Sequence, residues 1–264
     1  MNDFFELRRF GFLLRKTIFE RPVQLVGIAG LSLAATFVIY AGALYFMGSL
    51  PAQNLSFVYG FAGGGSFLAS VVFSYFTTNA SGSAYLTLPA SAFEKWLCGI
   101  LIVGVFYTSI FLVFYRLMDV SFITAYHNGL DKNSPDYKYL YDARHIYTFD
   151  NNLVEQSVLI FLNFAGALMV GSLYFNKVSA VKTAILYLAF VGLIFLLNLA
   201  VAHMLFNDVD WATPFNNVFI VVGDTTGSVD LPKGGSQFAH IAFMYIIPGI
   251  LWLTAYIRLR EKEI

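Results

Sequence analysis

The chain alternates between long apolar runs and shorter polar segments, and the runs predict membrane-spanning helices. About 20 apolar residues in a helix cross the roughly 30 Å hydrocarbon core of a bilayer. A helix also satisfies every backbone hydrogen bond within the segment, and the short alternating segments of a β-barrel are not visible in this sequence. We therefore predict an all-α membrane protein with one transmembrane domain over residues 1–264. The six predicted spans are 23–47, 55–77, 96–118, 154–175, 183–204 and 237–257.

The composition agrees with this pattern. Hydrophobic residues make up 58% of the chain and charged residues 12%, against about 45–50% and about 25% in a soluble domain. The formal net charge is zero, so nothing indicates nucleic acid as a partner. The single cysteine, Cys98, lies inside an apolar run and is expected to be a buried, inert thiol.

The distribution of Lys and Arg predicts which ends of the spans face the cytoplasm. Eleven of the 16 lie on the side that carries both termini, and they include Lys177. Because cytoplasmic loops are enriched in these residues, both termini are predicted to be cytoplasmic. The loops 119–153 and 205–236 then face outward. The first is rich in tyrosine and is expected to form an ordered lid or to bind an external partner, and the second is expected to hold a re-entrant segment or a short external helix.

Residues 1–22 precede the first span and predict an amphipathic helix in the membrane interface. Such a helix directs its basic face toward anionic lipid headgroups. An aromatic stripe at seven-residue spacing runs between the charges and offers a surface for another protein. A plain positive-inside anchor is the alternative. The basic residues are Arg8, Arg9, Arg15 and Lys16, and the stripe is Phe5, Phe12 and Phe19.

A short segment between the second and third runs predicts the start of a helix. Pro89 ends a small apolar stretch, and Ser91-Ala92-Phe93-Glu94 has the Ser-x-x-Glu pattern of a capping box. In that motif the serine hydroxyl and the glutamate carboxylate each accept a hydrogen bond from the other residue's backbone N–H. An ordinary helix start is one interpretation of this pattern, and a surface for a partner is the other.

The segment Leu88-Pro89-Ala90-Ser91-Ala92-Phe93-Glu94-Lys95 resembles the loop between spans two and three of ATP-binding-cassette type-2 permeases. That family also has an interfacial N-terminal helix, six spans with both ends inside, and a larger external segment before the last span. The resemblance implies the transmembrane subunit of an exporter in a bacterial inner membrane, paired with itself or a related permease. It further implies that Leu88, Pro89, Ala90, Ser91, Phe93, Glu94 and Lys95 contact a separate ATPase subunit, which holds the ATP and Mg.

The chain itself is not expected to be an enzyme or to bind a cofactor. It contains no Gly-x-x-x-x-Gly-Lys-Ser/Thr phosphate loop. Its four histidines are widely separated, so no metal site is predicted. A scaffold that assembles a partner complex without transporting anything is the alternative function, and an intramembrane enzyme would need paired catalytic residues that the spans do not show. The transported substrate stays open between lipid, peptide, drug and polysaccharide.

Small and polar residues inside the spans predict how the helices pack. Gly63, Gly64 and Gly65 lie in the middle of the second span, and small residues let helices approach closely in a membrane. A kinked helix that lines a pathway is the alternative. Asn163 and Asn198 are expected to face the bundle interior, and Asn198 is expected to hydrogen-bond to a neighbouring helix.

Overall fold

A computed structural model describes residues 4–77, 79–175, 178–206, 208–222, 225–230 and 232–263 of the chain. These residues are mostly helical, and six of their helices are long and apolar enough to cross a membrane. The predicted architecture of six helical spans is therefore confirmed. Lys177, which contributes to the predicted orientation, lies outside the described residues.

The helices are numbered in chain order, and α2, α3, α5, α7, α8 and α9 are the six spans. Each of α3, α5 and α9 contains a π-helical stretch, at Tyr59–Gly64, Leu101–Tyr107 and Ala242–Ile246. The bounds are α1 Leu7–Glu20, α2 Pro22–Met47, α3 Ser49–Val72, α4 Asn79–Leu86, α5 Ala92–Asn128, α6 Tyr137–Asp142, α7 Asn152–Tyr174, α8 Ser179–Leu205 and α9 Gly234–Glu261.

Two spans differ most from the prediction in their boundaries. Helix α3 begins at Ser49 rather than at residue 55 and ends at Val72 rather than at residue 77. Its early start includes Pro51, which a helix tolerates in its first turn because the missing N–H has no partner there. Helix α5 continues to Asn128, ten residues beyond the predicted end, so the first part of the predicted external loop 119–153 is helical.

The described residues between α8 and α9 form a sheet rather than the re-entrant segment or short external helix predicted for 205–236. Strands β1 Val209–Ala212, β2 Asn217–Val222 and β3 Thr225–Asp230 pair antiparallel in the order β1-β2-β3. The sequence of β2, NVFIVV, is rich in β-branched and aromatic residues, which favour strands over helices. The sheet packs beside the end of α8 through β1.

The core of the bundle is built from aromatic rings on α2, α3, α5 and α7. Phe57 and Phe61 of α3 pack against Phe111 of α5, with ring centroids 5.5–5.7 Å apart. Phe61 also lies 4.8 Å from Phe161 of α7. Helix α8 differs, because no residue in its most apolar stretch of 18 residues is buried. Its outward side chains are apolar, as in a helix that contacts lipid.

Two glycines of α3, Gly64 and Gly65, allow three helices to approach it closely. A Cβ at Gly64 would overlap the side chains of Ser32 and Tyr107, and a Cβ at Gly65 would overlap Phe161. The close approach lets Tyr107 donate a hydrogen bond of 2.6 Å to the Gly60 carbonyl in the π-helical stretch. Gly63 differs from the prediction for the three glycines: it is exposed, and a Cβ there would meet no described atom within 4 Å.

This geometry predicts opposite effects for two neighbouring substitutions. Gly64→Ala is expected to lower the free energy of unfolding by about 1–3 kcal/mol, because the added methyl group overpacks a closed contact. Gly63→Ala is the matched control and is expected to be neutral or stabilising by up to about 1 kcal/mol, since alanine favours a helix over glycine. Thermal unfolding of both variants in the same detergent measures the difference. Equal effects would contradict the close packing at Gly64.

Candidate functional site

Helix α5 begins with the predicted capping box. Ser91 Oγ accepts a hydrogen bond of 3.2 Å from the backbone N–H of Glu94, and Glu94 Oε2 accepts one of 2.9 Å from the backbone N–H of Ser91. Both bonds satisfy N–H groups that have no partner within the helix. The prediction that a helix starts at this point is confirmed.

The Glu94 carboxylate also fixes α1 to the start of α5. Its Oε1 accepts hydrogen bonds from the backbone N–H of Glu6 at 2.8 Å and from Arg9 Nη2 at 2.9 Å. Its Oε2 accepts from Arg9 Nε at 2.8 Å. The Ser91 hydroxyl donates to the Phe4 carbonyl at 2.6 Å. The capped helix start is therefore also the attachment point of the N-terminal segment.

Lys95 connects the same segment to the C-terminal end of the chain. Its Nζ donates to the Leu86 carbonyl at 3.0 Å and to Glu263 Oε1 at 2.7 Å. Glu94 and Lys95, both expected to contact a partner, are 0% and 1% exposed. Their charges are satisfied by this chain's own groups, as buried charges must be. We call this end of the bundle, where α1, residues 86–95 and Glu263 meet, the terminal face.

Aromatic rings close the remaining space between α1 and α5. Phe93 stacks on Phe4 with ring centroids 4.7 Å apart and meets the edge of Phe5 at 6.2 Å. On its other side Phe93 contacts Trp96 at 5.7 Å and Tyr256 of α9 at 6.3 Å. The predicted site residues Phe5 and Phe93 thus pack against each other. They help to hold α1 against α5 at the terminal face.

The orientation of α1 differs in part from a simple amphipathic arrangement. Its buried face is Phe10, Leu13 and Thr17, whereas Leu7 is 76% exposed. Two members of the aromatic stripe, Phe12 and Phe19, are 61% and 72% exposed. The predicted helix is present, and it packs against the protein through one side while it presents aromatic and basic side chains on the other.

An open groove of about 390 Å³ runs between α1 and residues 88–90 on the terminal face. Arg8 and Lys16 of its lining are exposed, and the Arg8 guanidinium lies 5.9 Å from the Phe12 ring centroid. Arg15 is exposed outside the groove. The groove therefore combines an apolar floor with a basic rim. Its lining is Glu6, Arg8, Arg9, Phe12, Leu13 and Lys16 from α1, and Leu88, Pro89 and Ala90 from the connecting segment.

A second polar cluster lies at the opposite end of the bundle, and the sequence pattern did not indicate it. Asp119 of α5 is 1% exposed. Its Oδ1 accepts hydrogen bonds of 2.8 Å from Tyr40 Oη and from Gln53 Nε2, and its Oδ2 accepts one of 2.7 Å from the backbone N–H of Tyr147. The nearby Arg116 donates to the Tyr147 carbonyl at 2.9 Å. The cluster fastens the segment after α6 onto α2, α3 and α5.

Asp119 is placed in the external loop by the predicted boundary at residue 118, so its burial is not expected from the apolar pattern. The signal that could have found it is a continuation of the helix through VSFITAYHN, which the polar residues of that stretch hide. Its three partners are all hydrogen-bond donors, which is the arrangement of a structural anchor. Among the described residues, no group of three or more His, Cys, Asp or Glu side chains is placed to hold a metal ion.

The two asparagines predicted to face the bundle interior behave differently. Asn163 is 2% exposed, and its Nδ2 donates across helices to the Phe243 carbonyl of α9 at 2.7 Å. The expectation that it faces the bundle interior is confirmed. Asn198 does not make the predicted bond to another helix, because its buried Nδ2 has no hydrogen-bond partner among the described residues. Cys98 is a buried free thiol, as predicted.

Comparison of the chain with protein-family models, with curated proteins and with solved structures found no match. The resemblance to ATP-binding-cassette type-2 permeases rests on the segment 88–95 and the order of the spans.

Proposed function

We propose that this chain is the transmembrane subunit of an ATP-binding-cassette exporter, paired with itself or with a related permease. A separate ATPase subunit would dock in the groove of the terminal face and supply the ATP and Mg. The observation that carries the proposal is this basic-rimmed apolar groove, which lies where the N-terminal helix meets the connection between the second and third spans. A partner with an apolar anchor and acidic surroundings complements it.

The contacts around Glu94 suggest how movement of the partner would reach the membrane. A load on α1 passes through the Arg9–Glu94 pair into the first turn of α5. Helix α5 has 37 residues and extends roughly 55 Å at a rise of 1.5 Å per residue. The ion pair between Lys95 and Glu263 connects the C-terminal end of the chain to the same helix start. In this proposal Glu94 and Lys95 position the groove and transmit force, and Phe12, Lys16 and Pro89 meet the partner.

The proposal predicts that one exposed phenylalanine of α1 matters for the partner and another does not. Phe12→Ala is expected to weaken capture of the ATPase at least tenfold, since truncating a central aromatic anchor commonly costs 2 kcal/mol or more. Phe19→Ala is the matched control, because Phe19 is also exposed on the same helix and does not line the groove. Co-purification from membranes of the native host, with the captured ATPase quantified by mass spectrometry, measures both.

Two results would contradict the proposal in different ways. Equal capture by both variants would remove the groove as the docking site. If wild-type protein captures no ATP-binding-cassette ATPase, the transport function itself is wrong. In that case the alternative is a scaffold that assembles membrane partners without transport, and the partner recovered on the wild-type protein would identify it.

A further inference from the structure

A cavity of about 260 Å³ lies between the last turns of α8 and the three-stranded sheet, at the end of the bundle opposite the terminal face. We call it the sheet cavity. One wall is the α8 side chains Asn198, Val201 and Leu205, and the other includes Phe215, Asn217 and Asp230. Asn217 and Asp230 face each other across strands β2 and β3. The site is independent of the proposed ATPase docking, which concerns the other end of the molecule.

Two buried amide atoms, which belong to residues that line this cavity, have no partner. Asn198 Nδ2 and Asn217 Oδ1 are both inaccessible to solvent and make no hydrogen bond to any residue that the structure describes. Leaving a buried donor or acceptor unpaired costs about 1–3 kcal/mol, and such groups are normally satisfied by protein, water or a ligand. An amide carries both a donor and an acceptor whichever way it is turned. A hydroxyl group, which donates and accepts, complements the pair.

The charge of the cavity restricts what it accepts. Asp230 is the one charged residue among its described lining residues. A phosphate or carboxylate would be repelled by this side chain and would find no described cation in the lining. A neutral group rich in hydroxyls is not repelled by Asp230. Asn and Asp side chains can bind such a group, because each can hydrogen-bond to neighbouring hydroxyls.

The backbone indicates that the cavity is held in a strained, preformed shape. Phe215 has a φ of 61°, a left-handed conformation that is rare for a bulky residue. Such strain costs on the order of 1–3 kcal/mol and concentrates at ligand sites. The conformation places the Phe215 ring against both the sheet cavity and Phe243 of α9, whose ring centroid is 5.5 Å away.

The position of the cavity points to a lipid as the source of the ligand. Val201 and Leu205 line it, yet they are also 52% and 70% exposed on the apolar outer surface of α8. The cavity is therefore continuous with the surface that faces hydrocarbon. An acyl chain can lie along α8 while the headgroup lies against Asn198 and Asn217, whose amides turn to present their unpaired atoms to its hydroxyls. We propose that the sheet cavity binds the neutral, hydroxyl-bearing headgroup of a membrane lipid, such as a sugar or glycerol headgroup.

Native mass spectrometry of the full chain in detergent tests this with monoglucosyldiacylglycerol as the probe. Wild-type protein is expected to bind this lipid at least tenfold more tightly than the anionic lipid phosphatidylglycerol. Asn198→Leu is expected to reduce the binding at least tenfold without lowering the unfolding temperature, because the leucine removes an unpaired amide from an apolar helix. Asn217→Ala is expected to weaken binding in the same direction. Gln156→Leu is the matched control, since Gln156 is an exposed amide in the adjacent cavity between α7 and α8.

Three outcomes would overturn the proposal. Equal glycolipid binding by wild type and Asn198→Leu would mean that the unpaired amides are satisfied by water alone. A preference for phosphatidylglycerol would contradict the charge argument. Binding of soluble methyl glucoside as tightly as the glycolipid would show that the site recognises a free sugar and not a lipid.

Discussion

Replacing Glu94 with alanine is expected to detach α1 from the bundle and to lower the free energy of unfolding by roughly 2–3 kcal/mol, since hydrogen bonds to a charged group contribute about 1.5–3 kcal/mol. The carboxylate is fully buried and accepts from Arg9 and from the backbone N–H groups of Glu6 and Ser91. Its removal takes away the acceptor that these donors share. Arg9 is 28% exposed, so its charge regains water, which keeps the loss below the roughly 3–5 kcal/mol of a fully buried pair.

Limited trypsin digestion and thermal unfolding in detergent measure this effect together. Once α1 is detached, cleavage at Arg15 and Lys16 is expected to accelerate at least tenfold. Glu6→Ala is the matched control, because Glu6 contributes only its backbone N–H to the contact with Glu94. If Glu94→Ala unfolds and digests as the control does, the carboxylate does not hold α1. Glu94→Gln is expected to lie between the two, since its amide nitrogen faces N–H donors.

The contrast between Ser91 and Arg9 shows how far the sequence predicts the terminal face. The bonds between Ser91 and Glu94 join residues three positions apart, so a local motif predicts them with their geometry. The bond between Glu94 and Arg9 joins residues 85 positions apart. No local pattern indicates which of the basic residues of α1 reaches it. For the same reason the burial of Lys95 against Glu263 could not be predicted, although the helix start beside it could.

The spans were predictable because their apolar runs are long, whereas the segments between them were not. Helix α5 continues beyond its most apolar part to Asn128. Asp119 lies in this last part of the helix, where polar residues hide the helical pattern. The segment 205–236 mixes glycines and short β-branched runs, which fit several structures in sequence terms. The sheet forms there because neighbouring strands pair with each other, a contact that depends on their register.

Asp119 is the site of the second large effect, because its carboxylate is the meeting point of three donors from three parts of the chain. Asp119→Leu leaves Tyr40 Oη and the Tyr147 N–H unpaired in a buried site, whereas Gln53 keeps its bond of 2.9 Å to the His145 carbonyl. At about 1–3 kcal/mol for each buried unpaired donor, we expect a loss of roughly 3–5 kcal/mol in the free energy of unfolding.

Hydrogen–deuterium exchange locates the damage. In Asp119→Leu the backbone amides of residues 143–150 are expected to exchange at least tenfold faster, because the Tyr147 N–H no longer has an acceptor. Asp119→Asn is expected to be destabilised as well, because the amide keeps only one acceptor oxygen. Its NH₂ group must then face a donor, either the Tyr147 N–H or the side chains of Tyr40 and Gln53. Asp142→Ala is the control, as Asp142 is exposed on α6 in the same segment. If the Asp119 variants exchange and unfold as the control does, these bonds do not anchor the segment to the bundle. If they behave as expected, α2, α3 and α5 are held together at this end by one carboxylate, as α1 and α5 are at the other by Glu94.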